Sequence, residues 1–387
     1  MISHKDVRIV PYNDKYWEDV RGFIKRNWRE DHPVCDKDLF DWQFKGFGDA
    51  KKKMNTFLLL DQNKLIGFRG TIPGLYQVPI DNKAMRVVLG GASAMWSIDK
   101  CYRHGRLGLL LLNEAMKKMG IITGLGSDPK TSLPFYVYTG FNILDLMHRY
   151  VAPLEIVGYY KLLTIKTRYE DLMEWAKEWK GVSAIEPNIP NVEEIASVWE
   201  ETTFPLRIFS LYRNTDFWRW RYLDSKGYKY LFFGEPKLTG SIVARIEEVI
   251  TTTEADLNGL KVFRIIEIIP NSTNAWIGEN DLNLVKLLQG ALSWATHQGC
   301  VAVDFYCSTT RFEKVLLEVG LRKYDVNDSI YSLVLSFQPL KYIFNIINAF
   351  FRININGSAV SNIKYEDTYM VKSDGDKDRP NMSLNKL

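Results

Sequence analysis

The feature that most constrains this chain is that it repeats itself, at a spacing of roughly 180 residues. Asp38-Leu39-Phe40-Asp41-Trp42-Gln43-Phe44 matches Asp216-Phe217-Trp218-Arg219-Trp220-Arg221-Tyr222. Each copy is followed by an apolar run, Phe57-Leu58-Leu59-Leu60 in one and Tyr230-Leu231-Phe232-Phe233 in the other. Further on, Phe135-Tyr136-Val137-Tyr138-Thr139-Gly140-Phe141 falls opposite Val315-Leu316-Leu317-Glu318-Val319-Gly320-Leu321. Three matches in one order at a nearly constant offset imply two copies of one folding unit. The 387 residues suffice for that, since an ordinary domain takes about 100–150.

Hydrophobic periodicity gives the unit its content. In the first half, Val7 to Val10 reads as a strand and Tyr16 to Trp28 as an amphipathic helix. Phe57–Leu60, Leu65–Ile72 and Met85–Ile98 read as a meander, followed by a helix from Leu107 to Met119 and a strand over Ile121–Gly124. The second half repeats this with a helix at Val192–Thr202 and strands at Ser241–Thr252 and Val262–Ile269. A long helix then spans Asp281–Gln298, and a strand Ala302–Cys307. The layout is α+β, with two tandem mixed-sheet domains, and lacks the regular alternation of a dinucleotide fold. The expected division is a domain over 1–158, a linker over 159–180 and a second, degenerate domain over 181–338. A docking helix is expected over 339–360 and a disordered polar tail over 361–387.

Charge narrows the partners. The net charge is only +4 and no basic block occurs, so the electrostatic footprint of a nucleic-acid binder is missing. The apolar stretch Tyr342–Ile353 is broken by Asn345, Asn348 and Arg352 and is too short to cross a bilayer. Cys35, Cys101, Cys300 and Cys307 form no CxxC pair and no zinc spacing, and the N-terminus has no export signal. Reduced thiols in a cytosolic protein, with no metal, are the expectation.

The segment that carries chemistry runs Ile98-Asp99-Lys100-Cys101-Tyr102-Arg103-His104-Gly105-Arg106-Leu107-Gly108. A strand enters a basic, glycine-containing turn that opens a long helix, aiming backbone N–H groups and a helix N-terminus at one spot. A pyrophosphate fits such a spot, with Arg103 and Arg106 adding charge-assisted bonds. The pattern is neither a Walker loop nor a GxGxxG turn.

Here the sequence resembles the GNAT acyltransferase superfamily, whose pyrophosphate loop reads Arg/Gln-x-x-Gly-x-Gly/Ala after a Tyr-Arg pair. Tyr102, Arg103 and Gly108 fit that pattern. Arg106 stands where the middle glycine belongs, with Gly105 one place earlier. Phe135-Tyr136 with Gly140-Phe141 matches the family's second signature. The resemblance implies acyl-CoA as co-substrate, held by Ile98, Arg103, His104, Gly105, Arg106, Leu107 and Gly108. It further implies that the strand ending at Ile98 splays from its neighbour at Ile121–Gly124 and admits pantetheine. Backbone N–H groups near Ile98 then polarise the thioester, and an amine attacks directly. Tyr136 takes the place of the general acid that protonates the departing sulfur; read from the residues alone, it is equally a packed aromatic. The central strand carries no carboxylate; His32, between the first two helices, is the candidate base, and a water relay with no dedicated base is the alternative.

The second copy has lost both devices. Pro270-Asn271-Ser272-Thr273-Asn274-Ala275-Trp276-Ile277-Gly278 replaces the arginine-glycine loop, and Leu316 stands at the tyrosine position. Two uses remain open for Trp218-Arg219-Trp220-Arg221: a packed core with solvated arginines, or an acceptor site using Trp220, Arg219 and Arg221. Tandem chains of this kind resemble bacterial nucleotide-sugar N-acyltransferases. That resemblance implies a dTDP-linked 3-amino-3,6-dideoxyhexose as acceptor and 3-hydroxybutyryl-CoA as donor. A cell-wall aminoacyl or peptidyl transferase and a non-catalytic CoA-binding protein are the alternatives.

Overall fold

Alternating and heptad-like apolar positions become the elements that pattern predicts. In the computed structural model the described residues are 7–52, 56–80, 84–103, 106–144, 147–163, 169–175, 181–251, 254–324, 347–355, 357–359 and 363–380. In the first half these form β1 (Val7–Pro11), α1 (Trp17–Asn27), α2 (Lys37–Lys45), β2 (Phe57–Asp61), β3 (Lys64–Pro79) and β4 (Met85–Ile98). Next come α3 (Leu107–Lys118), β5 (Ile121–Leu125), α4 (Leu133–Tyr138), β6 (Asn142–Leu144) and β7 (His148–Pro153). Helices α5 (Ile156–Leu162) and α6 (Tyr169–Trp175) occupy the expected linker. They are packed, not loose: Trp175 lies in the core and donates its indole N–H to the carbonyl of Gly320 at 2.7 Å.

The second half runs α7 (Val192–Thr203), β8 (Phe209–Leu211), α8 (Thr215–Trp218), β9 (Leu231–Phe233), α9 (Pro236–Thr239), β10 (Ser241–Glu248) and β11 (Lys261–Ile269). It continues with α10 (Thr273–Trp276), α11 (Leu282–His297), β12 (Cys300–Cys307), α12 (Glu313–Val319) and β13 (Arg322–Lys323). Three short strands complete the chain, β14 (Ala349–Ile355), β15 (Ser358–Ala359) and β16 (Thr368–Tyr369).

Two mixed sheets result. The first has the order β1-β2-β3-β4-β5-β14-β15, with β8 along β3, β16 along β8 and β6 along β14; the second is β13-β7-β12-β11-β10-β9. At the centre of each, a parallel pair sits among antiparallel neighbours, β4 with β5 and β11 with β12, and β16 also runs parallel to β8. The long helices α3 and α11 are the crossovers that parallel pairing requires. The repeat in the sequence is therefore a repeat in the fold. Its matched tryptophans meet: Trp42 donates to the carbonyl of Trp220 and Trp220 to the carbonyl of Trp42, both at 2.9 Å, with the rings stacked at 5.1 Å.

The two copies also trade a strand. β7 leaves the first sheet and pairs with β12, Val303 opposite Ala152. β14 returns from the far end of the chain and pairs with β5, Phe350 opposite Gly124. This corrects the expected docking helix, because 349–355 is a strand. Residues 339–346 of that expectation lie outside the described residues. The apolar run cannot by itself be told from a helix, and the unpaired edge of β5 decides the matter.

The expected disordered tail is corrected too. Tyr369, Met370 and Val371 are buried, and Asp374 and Asp378 are buried as well. Composition alone reads this polar segment as unfolded. Its carboxylates, however, meet arginines of the second half: Asp374 pairs with Arg213 at 2.8 Å, and Asp378 with Arg245 at 3.0 Å. Buried charges persist when paired in this way. Residues 361–362 and 381–387 lie outside the described residues.

Candidate active site

The centre of the first sheet is where β4 and β5 part. They pair from Gly91–Ile122 to Ser93–Gly124, after which β4 runs on to Ile98 without that partner. A bulge marks the spot, since Thr71 faces Ser93 whereas Gly70 faces Met95, leaving Ala94 extra. Such a bulge re-aims the backbone.

The turn after β4 is braced. Arg103 donates from Nε to the carbonyl of Ile98 at 3.0 Å, and Tyr102 donates to Asp61 at 2.9 Å. Arg106 stands exposed at the N-terminus of α3, and no side chain caps the first turn of that helix. Its leading N–H groups are thus available to an anion. Leu107 is buried in the core. At Gly108 a Cβ would lie 3.3 Å from Trp96, so glycine lets α3 come down onto β4. His104 and Gly105 lie outside the described residues.

Tyr136, on α4, is packed and polar at once. It stacks on Phe350 at 4.1 Å and meets Phe141 and Trp96 edge-on. Its hydroxyl is 2.8 Å from Ser93 Oγ, at the last shared register of β4 and β5. The strand that supplies Phe350 is the exchanged one. Sequence reasoning missed Ser93 and also Arg69, which donates from Nη2 to Ser93 Oγ at 3.3 Å. An arginine inside the apolar run Leu65–Ile72 was the available signal.

His32 lies elsewhere. Trp28, its neighbour at 6.3 Å, packs on Phe68, whose side chain leaves β3 on the face opposite Arg69. Its Nδ1 accepts the N–H of Val34 at 3.3 Å, a capping bond. Burial, with Arg379 and Arg29 nearby, holds its pKa down to about 2. A ring so reluctant to take a proton is a poor base, and the candidate assignment is withdrawn. Between the ordinary value of 6.5 and the depressed one, the unfolded chain binds a proton that the native ring refuses. Stability is therefore whole above that window and falls as pH drops through it, by about 1.4 kcal/mol per pH unit. Thermal melts of His32→Asn between pH 6.5 and 4.5 should show a shallower decline than wild type. Parallel declines would mean that the ring is not held neutral.

The expected acceptor residues are mostly spent inside the protein. Trp220 is locked against Trp42 and Phe47. Arg221 is buried, donating to the carbonyls of Ser373 and Asp378 and to Tyr230. Both are corrected from substrate-binding to structural, because their polar atoms are already spent on partners inside the protein. Arg219 is exposed and pairs with Glu193.

The second copy opens in the same way, β11 and β12 parting after Ile265–Phe305. There the chain's own tail fills the gap. Tyr369 accepts the N–H of Ile268 and donates to Glu267 on one side. On the other, Ser308 donates its N–H to the carbonyl of Met370 at 2.8 Å, and Val371 bridges Cys307. Among the described residues no cluster of His, Cys, Asp and Glu suits a metal ion, and no helix is long and apolar enough to cross a membrane.

No family model and no curated protein sequence matches this chain. Solved structures do. N-myristoyltransferase of Saccharomyces cerevisiae with bound myristoyl-CoA aligns over 92% of this chain and 80% of its own, at 13% identity and a TM-score of 0.53. A GCN5-related N-acetyltransferase from Kribbella flavida aligns over 90% and 71%, at 12% identity and a TM-score of 0.50. A probable N-acyltransferase from Enterococcus faecalis V583 aligns over 90% and 72%, at 12% identity and a TM-score of 0.51. The fold is thus the tandem GNAT-type fold of N-acyltransferases.

Proposed function

We propose that this chain transfers an acyl group from acyl-CoA to an amine in the cleft between β4 and β5. The observation that carries the reading is the Tyr136 hydroxyl, held on Ser93 where those strands part. The fold supports it, and the yeast neighbour was solved with myristoyl-CoA. On this reading the pyrophosphate rests on the uncapped start of α3, with Arg106 beside it. Arg103 braces the turn through the Ile98 carbonyl. Backbone N–H groups at the bulge polarise the thioester carbonyl. A neutral amine attacks, the C–S bond breaks, and Tyr136 gives its proton to the sulfur. The amine proton leaves to water, since β4 offers no carboxylate and His32 is held neutral.

In its narrowest form the acceptor is a nucleotide-linked amino sugar in the cytosol. That form is supported by the resemblance of tandem chains; of its three proposed residues, Arg219 alone is exposed. Thermal unfolding with CoA, dTDP and UDP added separately tests both levels. Ligand at a hundred times its Kd adds about 2.7 kcal/mol to the native state. CoA is expected to raise the midpoint, and no rise would sink the acyltransfer reading. A rise with dTDP favours the sugar nucleotide, and its absence removes that acceptor.

A further inference from the structure

We infer that Arg69 receives a carboxylate carried by the acyl group, so that the donor is the CoA thioester of a dicarboxylic acid. This rests on the acyltransfer reading and goes beyond it to the class of donor.

Arg69 is fully buried in the middle of β3. Of its nitrogen atoms, Nη2 reaches Ser93 Oγ, while Nε and Nη1 are buried without a hydrogen-bond partner. Thr71, two residues along the same face, also has a buried Oγ1 without a partner. The chain itself supplies the comparison. Arg149 and Arg264 share Asp304, Arg213 meets Glu267 and Asp374, and Arg221 and Arg245 share Asp378. Among the described residues, Arg69 alone of the buried arginines faces no carboxylate. Trp96 lies against its guanidinium at 5.2 Å. Such a contact offsets about 0.5–2 kcal/mol, but an indole ring accepts no N–H bond in the plane of the guanidinium. A buried, unmatched guanidinium costs several kcal/mol, and a carboxylate is the group that best removes that cost, forking onto the second N–H of Nη2 together with Nε or Nη1.

Position assigns the anion to the donor. A Cβ at Gly67 would touch Leu111 of α3, and one at Gly70 would touch Phe44 of α2. Odd-numbered residues of β3 therefore face α3, and Arg69 and Thr71 lie on that side. Tyr136 reaches the same Ser93. On this proposal the acyl group leaves the thioester at the point of parting and lies along this row. A saturated chain would leave both of these nitrogens, Nε and Nη1, dry, and a 3-hydroxyacyl chain would satisfy one without neutralising the charge. The reaction is unaltered, because the carboxylate only binds.

Isothermal titration of the full chain tests this with malonyl-, succinyl- and glutaryl-CoA against butyryl-CoA and free CoA. One of the three acidic thioesters should bind at least tenfold more tightly than butyryl-CoA. Arg69→Met should erase that preference while free CoA binds within twofold of wild type. Should the variant not fold, the wild-type ratio decides alone. Equal binding of acidic and plain thioesters overturns the inference and leaves acyltransfer standing, whichever group the acceptor carries. No binding of any CoA species ends both.

Discussion

Replacing Tyr136 by phenylalanine should lower kcat by roughly a hundredfold or more, the usual range for loss of a general acid, with KM for acyl-CoA within about twofold. The phenyl ring keeps the stack on Phe350 and the edge contacts with Phe141 and Trp96. What disappears is the hydroxyl on Ser93, a loss costing about 1 kcal/mol of stability. A fall in kcat far beyond that cost is chemistry and not packing. The thiolate of CoA must otherwise depart unprotonated, which burdens the bond-breaking step alone. Steady-state kinetics with a fixed amine and varied acyl-CoA separate the two constants. An unchanged kcat would make Tyr136 a packed aromatic and nothing more.

The second large effect lies in the tail. Asp378 is buried and accepts from Tyr230 at 2.7 Å and from Arg245 at 3.0 Å, with Arg221 beside it. Asp378→Ala should cost about 3–5 kcal/mol, because it leaves Arg221 buried without its carboxylate and Arg245 with Glu247 alone. Equilibrium unfolding in urea at pH 7 reads this directly; a loss below about 1 kcal/mol would mean the tail is only laid on the surface. The arginines hold the carboxyl down to about 2, against the ordinary 3.8. Its contribution is therefore complete above the ordinary value and fades as pH falls toward the depressed one. Asp374 behaves in the opposite sense. Burial beside Glu267 raises it to about 6 despite Arg213. The stability its proton confers is lost as pH rises through that value.

Much of the architecture was legible because it is local or repeated. The matched segments around Trp42 and Trp220, the long helices α3 and α11, and the meanders announce themselves by period and order. The turn from Ile98 to Gly108 was legible as a place for an anion because glycine, arginine and a helix start occur together. The strand exchange was not. β7 and β14 suit the edge of either sheet, since the two sheets are copies, and only the assembled fold settles which edge each takes. The tail misled for a related reason: its polarity is matched by arginines scattered over the second half, which no window of sequence brings together. Trp220 and Arg221 misled because an aromatic-basic segment reads alike in a binding site and a seam. Arg69 and Ser93 lie in an apolar context whose periodicity conceals that they share a face.

The traded strand also sets a timetable. β5 ends at Leu125, and the strand that covers its edge begins at Ala349. Ribosomes add about 5–20 residues per second, so that edge waits roughly ten seconds or longer for its partner during synthesis. An open strand edge invites pairing with another chain, and the aromatic surface meant for Phe350 is bare for the same interval. The first half therefore cannot complete itself before the last tenth of the chain emerges. Expression at lower temperature or with holdase chaperones protects this stage, not the finished molecule.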